Sequence, residues 1–184
     1  MKRISVWLTQ VSSGWMTLLA LVVFVLFMAL VLPEQSAQAD ENAGGSATPD
    51  LSFVYSVSDL YQMADSYGEQ GRSEYVKVRF TFDLVWPLVY TFFLVTALSW
   101  LFAKSFPVES FWQGANLIPL FGLLLDYLEN ISTSIVMLRF PAQTMIIDAL
   151  ATVFTPAKWI FVSLSFVLLL IGLVIAPWRL FQKR

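Results

Sequence analysis

Cysteine and histidine are absent from the chain. Their absence excludes disulfide exchange, thiol nucleophiles, Cys/His metal centres and every Ser-His-Asp arrangement. Charge is scarce too: Asp, Glu, Lys and Arg make up 13% of the 184 residues, where soluble domains carry about 25%. The net charge of −2, with no basic stripe interleaved with aromatics, gives no basis for a nucleic-acid partner. No metal-ligand set, phosphate-cradling loop or nucleophile motif is present, so no metal or cofactor is called for.

What fills the chain instead is hydrocarbon, with 58% of residues hydrophobic and 16% aromatic. Most charges lie between long apolar runs. Four runs, about 15–32, 82–102, 111–138 and 149–178, reach the roughly 18 residues needed to cross about 30 Å of hydrocarbon as a helix. The fold class that follows is an all-α membrane protein, multi-pass in the cell membrane, with the lipid bilayer as its surroundings. The connections near 105–110 and 139–148 are short, which predicts a four-helix up-down transmembrane bundle. The expected plan is a first span within 1–33, a linker over 34–50, a membrane domain over 51–178 with a surface helix and three spans, and a basic tail over 179–184.

The first run follows Lys2 and Arg3 and ends at Pro33. Ala37-Gln38-Ala39 before Asp40 has the small-x-small look of a signal cleavage site, but the run exceeds the roughly 7–15 residues of a signal h-region. An uncleaved anchor is expected; cleavage would leave three spans. The stretch EQSAQADENAGGSATP is small and polar, and reads as a flexible extracytoplasmic linker. Beyond it, Ser56 or Ser58 can cap a short helix through Ser66, with Leu60, Met63 and Tyr67 at helical spacing and Gly68 ending it. Phe53, Tyr55, Tyr61 and Tyr67 make this segment amphipathic and aromatic, suited to the outer membrane–water boundary. A helical pattern then runs from Arg72 to Lys104 with no cap between its polar and apolar parts.

Orientation rests on the basic residues in short flanks. One side holds Lys2, Arg3, Lys104, Arg179, Lys183 and Arg184. The other holds Arg72, Lys77, Arg79 and Arg139 among nine acidic residues. Both termini are therefore expected in the cytoplasm.

Ionisable side chains within a span cost roughly 2.5–3.5 kcal/mol each on insertion scales and usually face other helices or water. Asp126, Glu129 and Asn130 fall at i, i+3 and i+4, on one helix face, and heptad spacing extends that face to Asn116 and Pro119. Thr155 and Lys158 share a face of the fourth run, and Asp83 sits just inside the outer end of the second. At a helical rise of 1.5 Å per residue, Asp126 lies about 18 Å and Glu129 and Lys158 about 14 Å below the outer surface. Lys158, the one basic residue deep in a span, is expected to pair with Glu129 or Asp126. Three carboxylates then face one lysine, with Arg79 able to reach Asp83 from the helix end. Pro87, Pro119 and Pro156 are expected to kink their helices. The candidate binding residues are thus Asp83, Asp126, Glu129, Asn130, Thr155 and Lys158.

The pieces YGEQGRSEY (67–75), FDLVWPLVY (82–90), DYLEN (126–130) and FTPAKW (154–159) resemble those of a family of small bacterial membrane proteins with four predicted helices and no assigned activity. The resemblance covers about 50–178, and DYLEN is its most specific piece. It implies the architecture and supplies no mechanism.

Three functions fit these residues. One is a binding or transport module holding a proton, a cation or a small molecule in a polar site in the outer half of the bundle. The second is an intramembrane enzyme on lipid-like substrates, with Glu129 or Asp126 as general acid/base tuned by Lys158. The third is a structural or accessory subunit presenting 50–79 to a protein partner, the polar residues then being helix–helix glue.

Overall fold

The computed structural model describes residues 1–43 and 47–182. Residues 44–46 of the expected linker and Lys183 and Arg184 of the expected tail lie outside the described residues. Among the described residues every regular element is helical. Four helical stretches are long and apolar enough to cross a membrane: Gly14–Asn42, Gly68–Ser105, Phe111–Arg139 and Met145–Arg179.

A first helix, α1 (Lys2–Val11), precedes the expected first span, and the chain breaks where Ser12 adopts an extended conformation. Helix α2 (Gly14–Leu26) runs into a π-helical turn, Phe27–Val31, and then α3 (Leu32–Asn42). The wide turn has a local cause. Pro33 lacks an N–H and its ring crowds the carbonyl four residues back; just before it, Leu32 N–H bonds the carbonyl of Phe27, five residues back. The helix is thereby relieved and continues.

The flexible linker expected from Glu34 onward is therefore helical as far as Asn42. Ala, Gln and Glu are good helix formers, and Pro33 stands in the first turn, where a missing donor costs little. The small composition that suggested a linker instead allows close packing. A Cβ on Gly71 would lie 2.6 Å from the Asn42 carbonyl oxygen, so only glycine permits this approach of α3 to the next helices.

The surface segment folds as α4 (Val57–Ser66) and α5 (Gly68–Arg79). Ser56 closes a capping box: its hydroxyl accepts from Asp59 N–H, and the Asp59 carboxylate accepts from Ser56 N–H at 2.8 Å. Gly68 takes φ +61° between the two helices, in the left-handed region that favours glycine. The continuous helix expected from Arg72 breaks at Phe80 and Thr81, and α6 spans Phe82–Ser105. Arg79 in the last turn of α5 and Asp83 in the first turn of α6 each complement a helix dipole there.

A 3-10 segment, Phe111–Leu117, leads into α7 (Ile118–Arg139), and α8 spans Met145–Gln182. Pro119 falls in the first turn of α7, so it starts a helix where a kink was expected. Pro87 and Pro156 do lie within helices. At the start of α8, Asp148 accepts from the Thr144 backbone N–H at 2.9 Å and from its hydroxyl at 2.6 Å.

The chain divides into two units. The first comprises Met1–Val25, Leu88–Leu123 and Ile160–Arg184. Its buried hydrocarbon includes Leu94, Leu98, Leu101 and Phe102, and a Cβ on Gly172 would lie 3.0 Å from the Phe102 ring. Its buried polar contacts, among the described residues, are neutral. The Asn116 amide donates to the Ser5 carbonyl at 3.1 Å and the Ser99 hydroxyl at 2.9 Å, and the Thr17 hydroxyl donates to the Thr96 carbonyl at 3.2 Å. The second unit comprises Leu26–Pro87 and Leu124–Trp159, and packs Leu60, Ala64, Tyr67 and Tyr75 with Val136, Met137 and Ala151.

Candidate functional site

All six candidate residues lie in the second unit and are buried. Glu129, on α7, is 1% exposed. It forms an ion pair with Lys158 of α8, the partner expected for it, and accepts a hydrogen bond from the Thr155 hydroxyl at 2.7 Å. Ala151, Thr155 and Lys158 share one face of α8 by i, i+4 and i+3 spacing, so one helix face supplies both contacts to Glu129. Tyr55 extends the chain, its hydroxyl 2.9 Å from that of Thr155 and 3.2 Å from the Ala151 carbonyl. Burial raises the Tyr55 phenol above its ordinary range, only partly opposed by the bond to Thr155. The side chain is thus held as a neutral donor, completing a series Tyr55–Thr155–Glu129–Lys158.

A second cation anchors the other half of the network. Arg79 is buried and donates from Nη1 to Asp83 at 2.5 Å and from Nη2 to Asp50 at 2.7 Å. Its guanidinium lies 4.3 Å from the centroid of the Tyr75 ring, where the π face supports the charge. Asp50 is held from its other side, with Trp159 Nε1 donating to its carbonyl at 3.0 Å. The Phe53 ring tilts against Trp159 at 5.3 Å. Asn130 donates to Asp126 at 3.2 Å, and Tyr127 donates to the Leu84 carbonyl at 2.8 Å.

The halves share one electrostatic field. Asp126 and Asp50 act on Lys158 together with Glu129, and Asp126 and Lys158 act on Asp83 together with Arg79. Four carboxylates, Asp50, Asp83, Asp126 and Glu129, thus stand against two cations, Arg79 and Lys158. Such a group can bind a further positive charge, pass a proton along its hydroxyls, or clamp helices together. Among the described residues, no three carboxylates group in a way that could hold a metal ion.

Sequence reasoning missed Asp50, Tyr55 and Tyr75 and left Arg79 at the margin. Arg79 carried a signal, since it lies four residues before Asp83. Asp50 and Tyr55 carried none, because they reach the network from a segment whose path only the tertiary fold sets. Asn116 and Pro119, assigned by heptad spacing to the Asp126 face, lie in the first unit. Asn116 stands in the 3-10 segment, whose tighter winding ends the α-helical register, whereas Pro119 stands in α7 seven residues before Asp126.

Comparison with known proteins found no matching family model, no matching curated protein and no matching solved structure.

Proposed function

We propose that the chain is a four-span, up-down integral membrane protein that binds a proton or a small organic cation at its buried acidic network. Both termini are cytoplasmic, α4 lies on the outer surface, and the network occupies the outer half of the bundle. The observation that carries the reading is the surplus of two carboxylates among ionic groups that are nearly all buried. Unbalanced charge in a low-dielectric interior is costly and is relieved by taking up positive charge. Tyr55 and Thr155 provide a hydroxyl path to Glu129 for a proton. The family resemblance carried by DYLEN and FTPAKW is part of the same proposal and adds no chemistry to it.

A second reading, helix–helix glue alone, is favoured by the direct pairing of both cations. The two readings separate on the unfolding midpoint of the full chain in detergent, followed between about pH 5 and 8, where native-state proton binding shows as a pH-dependent stability. Parallel titrations at fixed pH use methylammonium, with sodium as the control for ionic strength. We expect the midpoint to rise with acidification or with methylammonium. Asp126→Asn should weaken that response. Replacing Asp83 and Asp126 together by Asn leaves Asp50 and Glu129 balanced against Arg79 and Lys158 and should remove it. A flat wild-type response, or a paired variant that responds like wild type, overturns the binding reading.

A further inference from the structure

Helix α1 is inside out relative to a helix on a water-soluble protein. Its hydroxyl face is turned to the protein: Ser5 is buried, donates to the Gln113 carbonyl at 2.8 Å and accepts at its own carbonyl from Asn116. Thr9, one turn on, lies 3.3 Å from the same amide. Its hydrocarbon face is turned away, with Ile4 52%, Trp7 59% and Val11 42% exposed. A helix in water shows the opposite pattern. Aliphatic and Trp side chains facing outward, led by Lys2 and Arg3, are the composition of a helix lying in a membrane interface.

The surroundings of α1 within its unit repeat this chemistry. Val108, Phe111 and Trp112 are exposed. Lys104 sits 4.3 Å over the Trp100 ring and Arg179 5.3 Å over the Phe106 ring, contacts that leave their N–H donors open to an anion. Glu109 is the only acidic residue in this unit. Its pair with Lys2 is more than four fifths exposed on both sides, so it offers little resistance to exchange for a stronger anion.

We infer that α1 and the Phe111–Leu117 segment form a docking platform for anionic phospholipids. Ile4, Trp7 and Phe111 enter the acyl boundary, while Lys2, Arg3, Lys104 and Arg179 meet the phosphates. Charge complementarity selects this occupant, because basic residues beside a bilayer draw acidic headgroups and leave zwitterionic ones unsorted. The inference rests on the membrane reading above and is independent of the acidic network.

The lack of cysteine provides the test. The full chain carrying Ile4→Cys is labelled with a fluorophore and placed in phosphatidylcholine vesicles with a trace of spin-labelled phosphatidylglycerol or spin-labelled phosphatidylcholine. Quenching by phosphatidylglycerol should exceed that by phosphatidylcholine about threefold, as local enrichment by a basic cluster predicts. Lys2→Gln, Arg3→Gln and Lys104→Gln together should bring the ratio to about one while quenching by phosphatidylcholine persists. Equal quenching by the two lipids in the parent, or a ratio unmoved by the charge changes, overturns the platform. Leu19→Cys on α2 is the companion site. If neither lipid quenches it, the four-span reading falls with the platform; if both quench it while Ile4→Cys shows no preference, only the platform falls.

Discussion

The two units solve the same packing problem with different chemistry. The first holds six of the eleven Lys and Arg residues and one of the thirteen Asp and Glu residues. Its interior is nonetheless neutral, joined by Asn116, Ser5, Ser99 and Thr96. The second holds twelve of the acidic residues and buries its ions: Arg79, Asp83, Asp126, Glu129 and Lys158 are each less than a tenth exposed. The first unit shows that hydroxyls and amides join these helices without the desolvation cost of charge. Holding helices together is therefore not a sufficient reason for the ions of the second. The proposed uptake of a proton or cation is a reason specific to charge and would account for the difference.

The largest expected effect breaks the comparison from the acidic side. Lys158→Ala leaves Glu129 buried without its cation, and loss of one partner from such a pair costs about 3–5 kcal/mol. Replacing both at once, Lys158→Met with Glu129→Leu, should recover most of that loss, since a well-packed apolar pair often equals a buried ion pair. Unfolding in mixed detergent micelles measures both. If the paired variant is as damaged as the single one, the ions are structurally indispensable, and the contrast with the first unit no longer argues for a function.

The contrast also marks what residue patterns could reveal. The four apolar stretches were legible because hydrocarbon run length has one physical meaning at this scale. The Glu129–Lys158 pair was legible because helical periodicity and rise per residue set face and depth together. The Ser56 cap and the Gly68 terminus were legible because their chemistry is local. Helix α3 was misjudged because small polar residues suit both a loose linker and a close helix contact. Gly71, 29 residues beyond Asn42, decides between them. Asp50 and Tyr55 escaped for the same reason: nothing nearby in sequence announces the distant Arg79 and Thr155 they meet. The inverted face of α1 was invisible while Lys2 and Arg3 were read only as topology signals.

A smaller effect sharpens the neutral side. Asn116→Ala removes the amide that joins Ser5 and Ser99 and leaves those acceptors buried. A loss of about 1–3 kcal/mol follows. Because no ionisable group takes part, the loss should be constant from acidic to neutral pH when unfolding midpoints of variant and parent are compared. A loss that changes with pH would show that the interior of the first unit is coupled to titrating groups, and the division into neutral and ionic interiors would fail.

The smallest effect separates surface charge from buried charge within the second unit. The carboxylate of Asp59 is held below its usual range, first by the backbone N–H of Ser56 and then by the Ser56 hydroxyl. A depressed carboxylate contributes stability that is complete above its unfolded value, about 3.9, and is lost as pH falls through the lower folded value. The capping-box contribution of Asp59 therefore disappears only in strong acid, and Asp59→Asn should flatten the pH profile there and nowhere else. Circular dichroism of the parent and Asp59→Asn through an acid titration tests this. A change confined to the acid limb assigns any response nearer neutrality to other groups, the buried network among them. A change that reaches neutral pH would mean that the exposed cap contributes to the response attributed to the ions, and the two sources of charge in this unit would have to be separated before either is given a role.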